Sequence, residues 1–318
     1  MLKKATIYKL IPFIISIIFS IYIGSLPLLE FADRSNYLTH IMIADLILNG
    51  FLNDGILTLL VNEPLWFYFM LTLRNFFAEE NALNIITYLV PFLFSYAILS
   101  SNVKYFPVLI IILLMPLHFA NTIMQLRQGL ASAIFMLGFF SENKFFKNSF
   151  IMMSPFIHGT FIVLVPIYYF YQRFDFRKLS LNLRSFALIL FSIIIVFILP
   201  NVAMLAGARQ ASRYEFDTSS GSGGMFAFWL FLILLAFLQG RNFQTKYLFE
   251  INCVILFLAM YFPYPIAGRI FNSVMPLVMI SFLNMTGKHK YIYISAIVSL
   301  LIYFWYVRNF SLYWLLKG

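Results

Sequence analysis

Charge is scarce in this chain: 11% of its 318 residues are Asp, Glu, Lys or Arg, and only 12 are acidic. A soluble domain carries about a quarter of its residues charged, so one or two soluble domains are excluded although the length would allow them. Cysteine is almost absent. Cys253 lies alone in an apolar run, which excludes a disulfide framework and a cysteine metal site. Neither GxSxG nor GxxxxGK[ST] occurs, and there is no paired His and Asp spacing or acidic triad. No serine-hydrolase elbow, phosphate loop or metal is therefore expected, and no cofactor. Internal repeats are also missing.

What is abundant is apolar: 62% hydrophobic and 19% aromatic residues, with a mean hydropathy of +0.88. A bilayer core needs about 20 apolar residues in a helix. Candidate spans are 10–29, 83–99, 106–122, 125–141, 185–205, 225–239, 247–263, 266–286 and 291–309. The first follows Lys3, Lys4 and Lys9 and lacks a small-residue cleavage site, so it reads as a retained helix with a cytoplasmic N-terminus. The net charge of +10 sits in short loops, where it orients the chain rather than offering a face to nucleic acid.

Two stretches do not fit a simple crossing. Residues 64–77 are short and entered through Glu63-Pro64; residues 148–171 contain Pro155, Ile157-His158-Gly159-Thr160 and Pro166, with basic residues at both ends. If both cross, Lys104, Lys144 and Lys147 are stranded outside. If 64–77 lies at the outer interface and 148–171 is a re-entrant hairpin turning at His158-Gly159, with Gly159 permitting the turn, fourteen basic residues lie inside and eight outside. The second threading predicts an all-α polytopic membrane protein forming a single membrane domain over 1–318. It has nine full spans, a re-entrant half-helix pair, a first outer loop at 30–82 and a second at 206–224.

Seven of the eight outer basic residues are arginines, whose planar fork suits phosphate or carboxylate. In the first loop, Tyr37 to Leu48 predicts an interfacial helix, with turns at Asn49-Gly50 and Asn53-Asp54-Gly55. The second loop carries Arg209, Arg213 and Tyr214 ahead of a Gly and Ser-rich half, read either as a substrate clasp or as an exposed loop.

Ionisable groups at membrane depth need a partner or a function. Asp33, beside Arg34 and Tyr37, is placed to take a proton from a sugar hydroxyl, or is an ordinary helix cap. Asn121, Gln125 and Gln128 share one face if their helix is continuous, with Arg127 beside it, which points to an anionic head group. His118 alone reads as a satisfied interfacial histidine. His158 is either a base and hydrogen-bond donor or a structural histidine. Arg269 stands one turn inside a late span.

Several motifs resemble the EpsG family of Wzy-like polysaccharide polymerases, related to the GT-C membrane glycosyltransferases. They are Asp33 with Tyr37, EPLWF at Glu63–Phe67, LRQGLASAIF at Leu126–Phe135, FIHGTFIVLVPIYYF at Phe156–Phe170 and GRIF at Gly268–Phe271. The resemblance spans about 30 to 280. It implies a bacterial inner-membrane enzyme, outward-facing, that transfers a polyprenyl-diphosphate-linked glycan to a sugar hydroxyl of another lipid-linked repeat unit. A chain-length regulator is a further implied partner. On that reading Asp33 or His158 is the base and Arg127 stabilises the leaving diphosphate, joined by Arg213 and Arg269. Arg34, Tyr37, Glu63, Asn121, Gln125, Gln128, Arg209 and Tyr214 bind substrate. The alternatives are a flippase or transporter of a lipid-linked or anionic solute, using the same arginines without a base, and a lipid-to-acceptor ligase.

Overall fold

The computed structural model describes residues 4–31, 33–173, 223–264 and 266–307, with Leu183, Phe186, Ala187, residues 189–194, Ile198, Asn201, Leu205 and Gly207 between them. Every regular element among these residues is helical, as expected where lipid offers the backbone no hydrogen-bond partners. One described helix, α6 (Glu79–Ser101), is by itself long and apolar enough to cross a bilayer. Shorter apolar helices cover Leu10–Gly24, Leu126–Phe140, Gly224–Phe237, Leu248–Met260 and Ala267–Phe282. Each lies within or overlaps an expected span; the expected span at 185–205 is described only in part, and the second outer loop lies largely outside the described residues.

The chain divides into two compact units, Met1–Gly159 with Ile297–Gly318, and Thr160–Ala296. In the first, α1 (Lys4–Gly24) packs along α6. It turns Leu10, Phe13, Ile14, Ile17, Ile18 and Ile21 outward while Ser16 and Ser20 are buried. Their hydroxyls donate to Pro12 O at 2.7 Å and Tyr88 O at 2.6 Å. A greasy outside over a small-residue interface is the packing logic of helices in lipid.

The loop after α1 folds into α2 (Arg34–Met42), α3 (Ala44–Asn53), α4 (Ile56–Val61) and α5 (Pro64–Phe76). The single helix expected from Tyr37 to Leu48 is thus two, meeting at Ile43, and Asn49-Gly50 is not a turn but lies inside α3. Phe51, next to Gly50 in α3, packs on Phe67 with ring centroids 5.9 Å apart, a contact comparable in size to the roughly 1 kcal/mol cost of a helical glycine. The turn at Asp54-Gly55 forms as expected, with Gly55 at φ +114°. Pro64 opens α5, where its missing N–H costs nothing. At 13 residues α5 reaches only about 20 Å.

The expected straight span at 106–122 is instead α7 (Phe106–Leu113) and α8 (Pro116–Ile123), bent by 78°. Pro116 forces Met115 into extended backbone and ends the first helix. The carbonyls freed at the bend find donors: His118 Nδ1 bonds Ile112 O at 2.5 Å and Trp305 Nε1 bonds Leu114 O at 3.1 Å. His118 is thus a buried histidine held through Nδ1, while its Nε2 has no hydrogen-bond partner among the described residues, so the satisfied histidine expected from the sequence is met only in part. A second break separates α8 from α9 (Leu126–Phe140), so Asn121, Gln125 and Gln128 do not share one continuous helix. The first turn of α9 packs so closely on α8 that a Cβ at Gly129 would run into the Asn121 carbonyl oxygen. α10 (Lys144–Met153) follows and ends in a tight turn, Ser154–Phe156. The helical path resumes only at α11 (Phe161–Arg173), so it is interrupted at Ile157–Thr160, where the hairpin turn was expected.

In the second unit, α12 (Gly224–Phe237), α14 (Leu248–Met260) and α15 (Ala267–Phe282) pack through aromatic side chains. Phe271 meets both Trp229 and Phe257 at 4.6 Å between centroids. The short α13 (Arg241–Lys246) belongs to the same unit, and α16 (Gly287–Ile302), which runs past the unit boundary at Ala296, is followed by a π-helical segment at Tyr303–Val307.

Candidate functional site

The cluster with chemical potential forms in the first unit, around Glu63. This residue precedes α5 at φ +62°, a conformation that non-glycine side chains adopt only under strain. The residue is 3% exposed. Oε2 takes a charge-assisted hydrogen bond from Arg127 Nη1 in the first turn of α9. Oε1 accepts from His158 Nδ1 at 2.8 Å and from the Gly159 amide at 3.0 Å. Burial alone would push this carboxyl up. The guanidinium, the imidazole N–H and the amide outweigh it and hold the group well below the usual carboxylate range.

Tyr37 closes the cluster. Its ring lies 5.8 Å from the Arg127 guanidinium carbon. Burial drives the phenol upward in pKa, so it stays neutral. Trp66 packs edge-on against Tyr37 at 5.6 Å and is itself fully buried. Arg34 sets this geometry from one turn earlier on α2: Nε donates to Ile123 O at 3.0 Å, at the α8 to α9 break, and Nη1 to Pro27 O at 3.1 Å. Burial pulls its pKa down to about 10, so it remains a cation at neutral pH. By taking the last carbonyl of α8 it fastens α2 beside the start of α9, which brings Tyr37 over Arg127.

The other candidates fall in different places. Asp33 is exposed, at φ +69°, and accepts only a long 3.4 Å bond from Asn36; it neither caps α2 through its side chain nor pairs with Arg34. Asn121 and Gln128 are buried next to the cluster's helices, and Gln125 is the half-buried residue at the break. Arg269 belongs to the second unit, exposed in the first turn of α15. Arg209, Arg213 and Tyr214 lie outside the described residues. Among the described residues no three His, Cys, Asp or Glu side chains converge to hold a metal.

Sequence reading singled out Glu63, Arg127 and His158 separately but missed that they are one unit. It also missed the Gly159 amide. Gly159 lies in a turn, as expected, but is not among the glycines at positive φ, so the turn does not demand a glycine there; its amide donates to Glu63.

The groups that converge are thus a carboxylate, a guanidinium, an imidazole and a phenol, a set able to hold an anion and move a proton. No curated protein and no solved structure matches the chain. A model of the EpsG family matches residues 10–315, nearly its whole length, and the motifs that drew attention in the sequence lie inside that match: the chain belongs to the EpsG family.

Proposed function

We propose that this EpsG-family membrane protein is a polysaccharide polymerase, a glycosyltransferase using polyprenyl-diphosphate-linked glycans. In the reaction a sugar hydroxyl of one lipid-linked repeat unit attacks the anomeric carbon of another. A new C–O bond forms, the anomeric C–O bond to the diphosphate breaks, and the diphosphate leaves on its lipid with the electron pair. The hydroxyl proton passes to His158. The observation that carries this reading is the buried Glu63 bridge, which sets a histidine and an arginine side by side: one to take a proton, one to meet developing negative charge.

The same reading places the protein in the bacterial inner membrane with nine full spans in a GT-C-like arrangement and a cytoplasmic N-terminus. The re-entrant pair at 148–171 then brings His158 to the outer half, and the helix break at Ile157–Thr160 supports it. A groove of about 620 Å³ along α1 and α6, lined by Ser20, Phe77, Asn84, Tyr88 and Phe92 among others, offers the kind of apolar channel a polyprenyl chain needs.

The test is incubation of the purified protein with lipid-linked repeat units extracted from cells lacking it, followed by a gel. A ladder of increasing length is expected. Movement of the unmodified lipid-linked unit across vesicle membranes, with no ladder, would instead establish the flippase reading.

A further inference from the structure

We infer that Glu63 is a positioning residue that sets the tautomer of His158 and fixes Arg127, rather than a ligand of the substrate. This rests on the polymerase reading for its consequence in the reaction, but not for its geometry. Both carboxylate oxygens are engaged from within: Oε2 by Arg127, Oε1 by His158 and Gly159. Little of the side chain reaches the surface.

An ionised carboxylate can only accept, so the hydrogen on the His158 ring must sit on Nδ1. In the neutral ring Nε2 is then bare and is the nitrogen able to accept a hydroxyl proton. The opposite tautomer would offer an N–H there and could not. When Nε2 takes the proton, the resulting imidazolium already faces the Glu63 carboxylate, so the charge formed during transfer is met without rearrangement. The proton's path is O–H of the acceptor to Nε2; Glu63 itself never receives it.

The backbone supports the same role. Asp33 and Glu63 are the described non-glycine residues at positive φ. Asp adopts this region readily and Glu does not, so a glutamate held there points to a function for its side chain. Space does not explain Gly159, since a Cβ there would lie 3.8 Å from Glu63 Oε1, an ordinary contact. What position 159 contributes is its amide.

Glu63→Gln tests this because an amide cannot serve all three donors. If its oxygen stays on His158 and Gly159, its NH₂ faces the Arg127 donors; if it flips, its NH₂ faces Nδ1 and reverses the favoured tautomer. In the ladder assay kcat should fall about 100-fold with KM changed by less than about twofold. In a His158→Gln background the same change should cost no more than about the tenfold expected of Arg127→Lys, since only the hold on Arg127 is then left to lose and the part acting through His158 is not additive with it. Full kcat, a raised KM at constant kcat, or additive loss would each overturn the proposal. Glu63→Asp, read by the same criteria, decides if Glu63→Gln fails to accumulate, and should retain more kcat because it keeps the charge.

An activity-independent readout comes from ¹⁵N-histidine labelling. With four histidines in the chain, the His158 signals are assigned by their loss in His158→Gln. Hydrogen on Nδ1 is expected in the unmodified protein and a shift towards Nε2 in Glu63→Gln. An unmodified ring protonated on Nε2 alone would sink the inference even if ladders form. Absence of ladders from the unmodified protein, with the tautomer as expected, would count against the polymerase reading alone.

Discussion

The turn before α2 and the turn before α5 look alike on paper: each puts an acidic residue, Asp33 or Glu63, at positive φ immediately ahead of a loop helix. Their side chains have opposite surroundings. Asp33 is exposed with one long hydrogen bond, whereas Glu63 is buried and engaged by a guanidinium, an imidazole and an amide. A strained non-glycine residue costs on the order of 1–3 kcal/mol, less for Asp, which tolerates this region. The strain at Glu63 is thus the larger and comes with three partners that only its carboxylate can satisfy together. An acid's position after a transmembrane helix, which favoured Asp33 in the sequence, says less about its chemistry than what its oxygens touch.

The largest effect that separates the two turns is on the proton. His158→Gln should slow ladder growth by about 100- to 10,000-fold, the usual loss on removing a general base, while Asp33→Asn should stay within about threefold of the unmodified rate. Rates measured with both variants at equal membrane abundance check the pair; stalled growth in Asp33→Asn with normal growth in His158→Gln would reverse the comparison. Next in size is Arg127→Lys. It keeps the charge but loses the fork that reaches Glu63 and Tyr37 together, and we expect about a tenfold loss of rate, equivalent to about 1.4 kcal/mol.

The smallest effect is on stability against pH. The folded-state pKa of Glu63 is depressed, so its contribution is fully present above the unfolded carboxyl value of about 4.3 and is lost as pH falls towards the lower folded value. In a His158→Gln background, which removes the imidazole's own titration, the gap in melting temperature between proteins with and without Glu63→Gln should stay level from about pH 8 to about pH 5 and close below that. A gap already closing near neutral pH would show that Arg127 does not hold the carboxylate ionised.

Much of the fold was legible because the relevant signals are local. Composition called for helices in lipid, and the Pro and Gly content around His158 marked a place where the helical path breaks; the break at Pro116, inside an expected span, went unread although its signal is local. Two features depart from the local pattern: Gly50 lies inside α3, where Phe51 packs on Phe67, and a break before α9 separates Asn121 from Gln128. The candidate residues were also visible singly, since a lone acid, arginine or histidine in so apolar a chain is conspicuous.

By itself the sequence determined that the protein is an all-helical membrane protein and that it carries EpsG-family motifs, and it pointed to the few ionisable residues as candidates. These follow from composition and from short-range spacing, which are properties of the chain before it folds. Only the tertiary structure decided that Glu63 meets Arg127 across 64 residues and His158 across 95. No spacing rule reaches that far. Whether two such groups stand at hydrogen-bond distance depends on how α2, α5 and α9 pack, and that packing is fixed by Arg34 on the broken end of α8 and by aromatic side chains such as Trp66 on Tyr37, contacts that exist only once the helices have come together.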